Sequence, residues 1–162
     1  MILFLDYDGV LHPNEAYQIP GKGIVLNVDG HNLFEYADTL ADALKAHQDV
    51  RIVLSTSWVW TIGFNKTKAR LPELLQARII GSTWHSSMNQ HYWDSLTRYE
   101  QIKMYVNRHQ VKEWIAIDDN DFKWPDNKRH HLIYTNEWRG LGGTAGALDE
   151  LLLKLETREV RR

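Results

Sequence analysis

The chain predicts an α/β fold, a parallel β-sheet with helices on both faces. Short apolar runs rich in β-branched residues alternate with segments of helical periodicity. Three of those runs stop on polar, chemically able residues: Asp6 and Asp8, Ser55 and Thr56, Asp118 and Asp119. The length, 162 residues, suits one well-formed core and is short for two. Parallel strands in such a chain are joined by right-handed crossovers. Ligands of sheets wound this way gather beyond the carboxyl ends of the strands, where the three tips converge.

In chain order, Ile2–Leu5 is the first strand, followed by a loop over 12–31 that carries Pro13, Pro20, Gly21 and Gly23. Ile24–Val28 reads as a short strand or hairpin arm within it. Asn32 to His47 has Leu33, Ala37, Leu40, Ala41 and Leu44 at helical spacing, and Asn32 with Glu35 resembles a capping box. Val50–Leu54 is the second strand. Pro72 suits the first turn of a helix through Leu74, Leu75 and Ala77, before a third strand at Arg78–Ser82. A long loop over 83–96 precedes a helix from Thr97 to His109 with Tyr99, Ile102 and Val106 on one face. Trp114–Ile117 and Leu132–Tyr134 are the fourth and fifth strands. Ala147, Leu148, Leu151, Leu152 and Leu155 mark a closing amphipathic helix, and 157–162 is expected to fray. There is no repeat and no linker, so 1–162 is expected to be a single domain.

Composition narrows the function classes. Nineteen Lys+Arg face 21 Asp+Glu, so no global field advertises a nucleic-acid or membrane partner. With no cysteine, disulfides, thiolate metal sites and cysteine nucleophiles drop out together. No apolar run approaches the roughly 20 residues that span a bilayer. A first strand that starts at Met1 leaves no room for a signal peptide. A cytoplasmic domain is the expectation.

Asp6 and Asp8 stand one residue apart at a strand tip, with Gly9 letting the chain turn away. Carboxylates that close share a proton or hold a positive charge between them. A hard cation such as Mg2+ is the common answer, since it favours one or two carboxylates plus water and phosphate oxygens.

With its strand tips assembled, the chain resembles the haloacid dehalogenase (HAD) superfamily of phosphohydrolases. Asp6-Tyr-Asp-Gly-Val-Leu11 resembles the first motif, the strand ending at Ser55 the second, and Ile117-Asp-Asp119 the fourth. Leu54-Ser-Thr-Ser-Trp58 and Ala116-Ile-Asp-Asp119 look like the small HAD domains attached to RNA-repair proteins. The resemblance implies a three-layer Rossmann-like sheet of five parallel strands in the order five-four-one-two-three. It implies no full cap domain, because 12–31 could make only a flap. It further implies an Mg2+-dependent phosphatase. Asp6 would be the nucleophile that forms an aspartyl-phosphate, and Asp8 the group that protonates the leaving alcohol and later activates water. Mg2+ would be held by Asp6, the Asp8 backbone carbonyl, and Asp118 or Asp119. Ser55 would donate to a phosphate oxygen, with Thr56 one residue away as the alternative. The basic residue of the third motif is Arg98 or Lys103, with Arg98 favoured; Arg offers a planar fork, Lys a point charge.

The aromatics and histidines carry weaker signals. Trp58, Trp60, Trp84, Tyr92 and Trp93 flank these motifs and could stack a base, but most are expected to pack over the sheet edge. Trp58 and Trp93 are the candidates for site walls. His12 reads as a turn residue beside the site, Asp121 as a loop carboxylate, and His85 with His91 lacks a zinc spacing. The substrate is a small phosphomonoester or a nucleic-acid end, the latter making the protein a polynucleotide end phosphatase in repair. A non-catalytic metal- or phosphate-binding module is the rival from another class.

Overall fold

The computed structural model describes residues 1–159. Its centre is a parallel sheet of β1 (Ile2–Leu5), β4 (Arg51–Leu54), β5 (Ile79–Ser82), β6 (Trp114–Asp118) and β7 (Leu132–Tyr134), ordered β5-β4-β1-β6-β7. That is the expected spatial order, with β1 in the middle. Leu5 pairs with Leu54 on one side and Ile117 on the other, so three strands end level.

Side chains alternate across the sheet, and two cores follow. Leu3, Leu5, Ile52, Leu54, Ile115 and Ile117 face the larger core. Helices α1 (Ala37–Ala43) and α8 (Ala147–Glu159) cover it with Leu40, Ala41, Leu151 and Leu155. Phe4, Val53, Trp114 and Ala116 face the smaller core, closed by Ile102 of α6 (Arg98–Arg108) and by Trp124. Burying one such Leu or Phe side chain contributes about 1.5–3 kcal/mol. No helix among the described residues is long and apolar enough to cross a membrane.

Several elements depart from the periodic reading. The helix expected over 32–47 holds only as α1. Phe34 takes φ 60, a left-handed conformation that interrupts a helix, and its N–H donates to His12 Nδ1. The Tyr36 N–H is likewise taken by the Leu11 carbonyl. Contacts from the first loop thus hold 32–36 away from helical geometry. The segment after Ser57 folds into short helices α2 (Trp58–Ile62) and α3 (Phe64–Lys68), and the helix after Pro72 is a single turn, α4 (Glu73–Gln76). The loop over 83–96 contains α5 (Gln90–Asp94), capped by the Asn89 side chain accepting from Tyr92 N–H. In 12–31 the chain folds into an antiparallel hairpin of β2 (Ala16–Ile19) and β3 (Gly23–Leu26), too small for a cap domain. A further turn of helix, α7 (Gly140–Gly143), precedes α8. Of the tail expected to fray, 160–162 lies outside the described residues, and Thr157 still belongs to α8.

Candidate active site

The pleat that sends Phe4, Val53 and Ala116 into the smaller core carries on for two more residues. It puts Asp6, Ser55 and Asp118 in a row on the face covered by α6. Asp6, Ser55 and Asp118 are all buried. Beside them, Asp6, Asp118 and Asp119 each offer a carboxylate oxygen within 4.8 Å of the others.

Arg98 answers that negative charge. It is the first residue of α6, fixed there by a capping box: Thr97 accepts from Glu100 N–H, and Glu100 accepts from Thr97 N–H. From this position its Nη2 reaches Asp6 Oδ2 at 3.0 Å and its Nε lies 2.8 Å from Asp118 Oδ2. The Nε contact is poorly aimed, so it is an ion pair more than a hydrogen bond. Lys103 follows five residues later, about 140° around the helix axis. It is exposed and does not join the cluster.

Electrostatics follow from burial. Burial pushes the Asp6 carboxyl up, and Arg98 opposes this only in part. Asp118 is raised well above its ordinary value by burial, again against Arg98. Asp119 is raised to about 7, by burial and then by the Asp6 charge. Burial would lower the Arg98 pKa, but Asp118 and Asp6 outweigh it, so the guanidinium stays charged. Three carboxylates therefore share one cation, and a second positive charge would relieve them.

The backbone holds the remaining groups. Asp6 Oδ1 accepts from Tyr7 N–H at 2.7 Å. Asp118 Oδ1 accepts from Asn120 N–H at 3.0 Å. Gly9 has φ +72, and a Cβ there would stand 2.1 Å from Asp119 Oδ2, so only glycine admits that carboxylate. Thr135 at the tip of β7 donates to the Gly9 carbonyl at 2.8 Å. Asp8 lies past the strand end: its Oδ1 pairs with His12 Nε2 at 3.0 Å, and its Oδ2 accepts from Trp58 Nε1 at 2.9 Å.

A cleft of about 360 Å³ opens at Arg98, the partner of Asp6, lined also by Thr56, Thr83, Gln101 and Asn120. Trp93, Trp60 and Phe122 also line it, the last two 48% and 64% exposed. Among the described residues, Ser55 Oγ is buried at this strand tip without a hydrogen-bond partner. The donor set is all oxygen, without sulfur or imidazole, which fits a hard divalent cation.

Of the residues singled out from sequence, the structure brings Asp6, Arg98, Asp118 and Asp119 into one cluster. Asp8 and Ser55 stand beside it, while Lys103 is outside. Trp93 lines the cleft, whereas Trp58 turns its ring toward Tyr7 and Phe34 and only its N–H toward Asp8. Thr56, the alternative to Ser55, lines the cleft. The contribution of His12 was missed, although its position four residues after Asp8, on a turn, was a usable signal.

A parallel sheet with an Asp-x-Asp at the tip of its central strand, and paired aspartates on the neighbouring tip, defines a HAD-superfamily domain. The comparison with family models agrees: the chain belongs to the family described as "HAD domain in Swiss Army Knife RNA repair proteins", matched over residues 2–144. No curated protein and no solved structure matches it significantly.

Proposed function

We propose that the protein is an Mg2+-dependent phosphatase that hydrolyses a phosphomonoester through an aspartyl-phosphate on Asp6. The observation that carries this reading is the buried Asp6 carboxylate, clustered with Asp118 and Asp119 and paired with Arg98, which also lines the adjoining cleft. Asp6 Oδ attacks phosphorus as the bond to the leaving oxygen breaks, and Asp8 delivers a proton to that oxygen. Asp8 then takes a proton from the water that cleaves the aspartyl-phosphate. Arg98 neutralises the nucleophile and an equatorial phosphate oxygen, and the unpartnered Ser55 hydroxyl would donate to another. Asp6, Asp118, Asp119 and the Asp8 carbonyl would hold Mg2+, whose chemistry there is charge neutralisation and templating.

A second reading names the substrate as a nucleic-acid end. It rests on the family's association with RNA repair and on Trp60 and Phe122, which expose aromatic faces at the cleft. Turnover of an end-phosphorylated oligonucleotide would then fall steeply with salt, unlike that of a small ester.

The test is phosphate release from 4-nitrophenyl phosphate with Mg2+. Wild type is expected to turn over and Asp6→Asn to be inactive. Equal activity of the two would refute the aspartyl-phosphate, and a wholly inert wild type across esters and oligonucleotides would favour a binding module.

A further inference from the structure

We propose that His12 and Trp58 form a two-pronged cradle that positions Asp8 for proton transfer. This rests on the phosphatase reading above and assigns two residues that the reaction scheme does not use.

The His12 ring is fully buried, and its Nδ1 lies 3.2 Å from the Phe34 backbone nitrogen. A backbone N–H can only donate, so Nδ1 must accept and carries no hydrogen. The proton therefore sits on Nε2, which donates it to Asp8 Oδ1 at 3.0 Å. Edge-to-face packing of Phe34 against this imidazole, with centroids 5.0 Å apart, holds the ring plane.

The second prong is Trp58 Nε1, a donor with no acceptor function, 2.9 Å from Asp8 Oδ2. Its ring packs edgewise on Tyr7 at 5.7 Å and Phe34 at 5.2 Å, and Arg70 stands over it. Both donors are thus anchored in the larger core, while Asp8 itself lies on a turn. One rigid donor on each oxygen fixes the rotamer and plane of the carboxylate. Each carboxylate oxygen has two lone pairs, so one bond apiece still leaves a place for the transferred proton.

Positioning matters because the displacement is in-line. The leaving oxygen departs opposite Asp6, and a misplaced acid cannot meet it. The unusual left-handed turn at Phe34, which lies before α1 and delays its start, accompanies the bond from its N–H to His12. The cradle therefore explains a local backbone cost that α1 does not require.

The test compares kcat/KM for two esters that differ in need for the proton. 4-Nitrophenolate leaves unaided, whereas phenolate from phenyl phosphate benefits from an acid. General-acid catalysis is worth about 10²–10⁴-fold, so a loosened acid should cost phenyl phosphate about tenfold or more beyond the loss for the nitrophenyl ester. That selective loss is expected for Trp58→Phe, which keeps a smaller aromatic ring in the core and removes the donor, and for His12→Leu. His12→Gln, whose amide can replace the Nε2 donor, should recover most of it. If His12→Leu does not fold, Trp58→Phe alone decides. Losses equal for the two esters, or none, overturn the cradle. Asp6→Asn is measured alongside: if it is inactive, equal losses overturn the cradle alone. An active Asp6→Asn overturns the aspartyl-phosphate reading and the cradle with it.

Discussion

Replacing Arg98 with Gln removes the one cation that two buried carboxylates share. Asp6 and Asp118 are 4% and 1% exposed, and the Arg98 side chain is 17% exposed, so water screens this cluster weakly. Breaking a buried pair by removing one partner costs about 3–5 kcal/mol. In a chain of this size each kcal/mol shifts the melting temperature by about 2–4 °C, which gives a loss of about 6–20 °C. The loss should depend on pH. Burial already raises Asp6 and Asp118, and Arg98 is the main opposing influence on both. Without it their folded-state pKa values rise further above the unfolded value. Groups raised in the folded state favour folding at low pH, where they are protonated, and lose that contribution as pH rises through the folded pKa. The deficit of Arg98→Gln should therefore be small at pH 5 and grow toward pH 8.5. Mg2+ should restore part of it by replacing the lost positive charge. The assay is thermal unfolding of wild type and variant with EDTA at both pH values, then with Mg2+. A deficit independent of both pH and Mg2+ would mean that Arg98 acts by packing, and the charge argument would fail.

Three other predictions concern the acidic cluster. Mg2+ at a hundredfold excess over its Kd should stabilise wild type by about 2.7 kcal/mol, or about 5–11 °C in melting temperature. Asp119→Asn should lose most of that increment. Without metal it should melt no lower than wild type above pH 7, because the group it removes is raised to about 7 and its charge opposes folding there. Gly9→Ala should cost about 1–2 kcal/mol from its left-handed backbone alone. It should also abolish the Mg2+ shift by displacing Asp119, as read by the same melts; a full Mg2+ response would show that Asp119 is not needed where it sits.

Legibility in the sequence tracked how local each cause was. The strands were readable because buried apolar runs such as Ile52-Val-Leu54 declare themselves, and so did the polar residues at which they stop. The helix over 32–47 was overextended because Leu33 continues the spacing of Leu40 and Leu44. What stops that helix, the hydrogen bonds to His12 and Leu11, comes from residues far back in the chain. Arg98 and Lys103 looked comparable as residue types. Their separation rests on which face of α6 meets the sheet, and that needs the tertiary packing. The Trp58 donor escaped notice because a tryptophan after a strand reads as bulk, and its N–H direction is set by Tyr7 and Phe34.

The central place of β1 has a consequence for how the protein comes into being. Ile2 pairs with both Arg51 and Trp114, so the earliest strand is flanked by partners made much later. Bringing such distant segments together is the slow, entropically costly part of folding. Asp118 and Asp119 join Asp6 and Asp8 only once β6, which follows far along the chain, has docked beside β1. The three-carboxylate cluster of Asp6, Asp118 and Asp119 is therefore incomplete until the sheet closes. Until then β1 offers an unpaired edge, and that is when the chain is most exposed to mispairing.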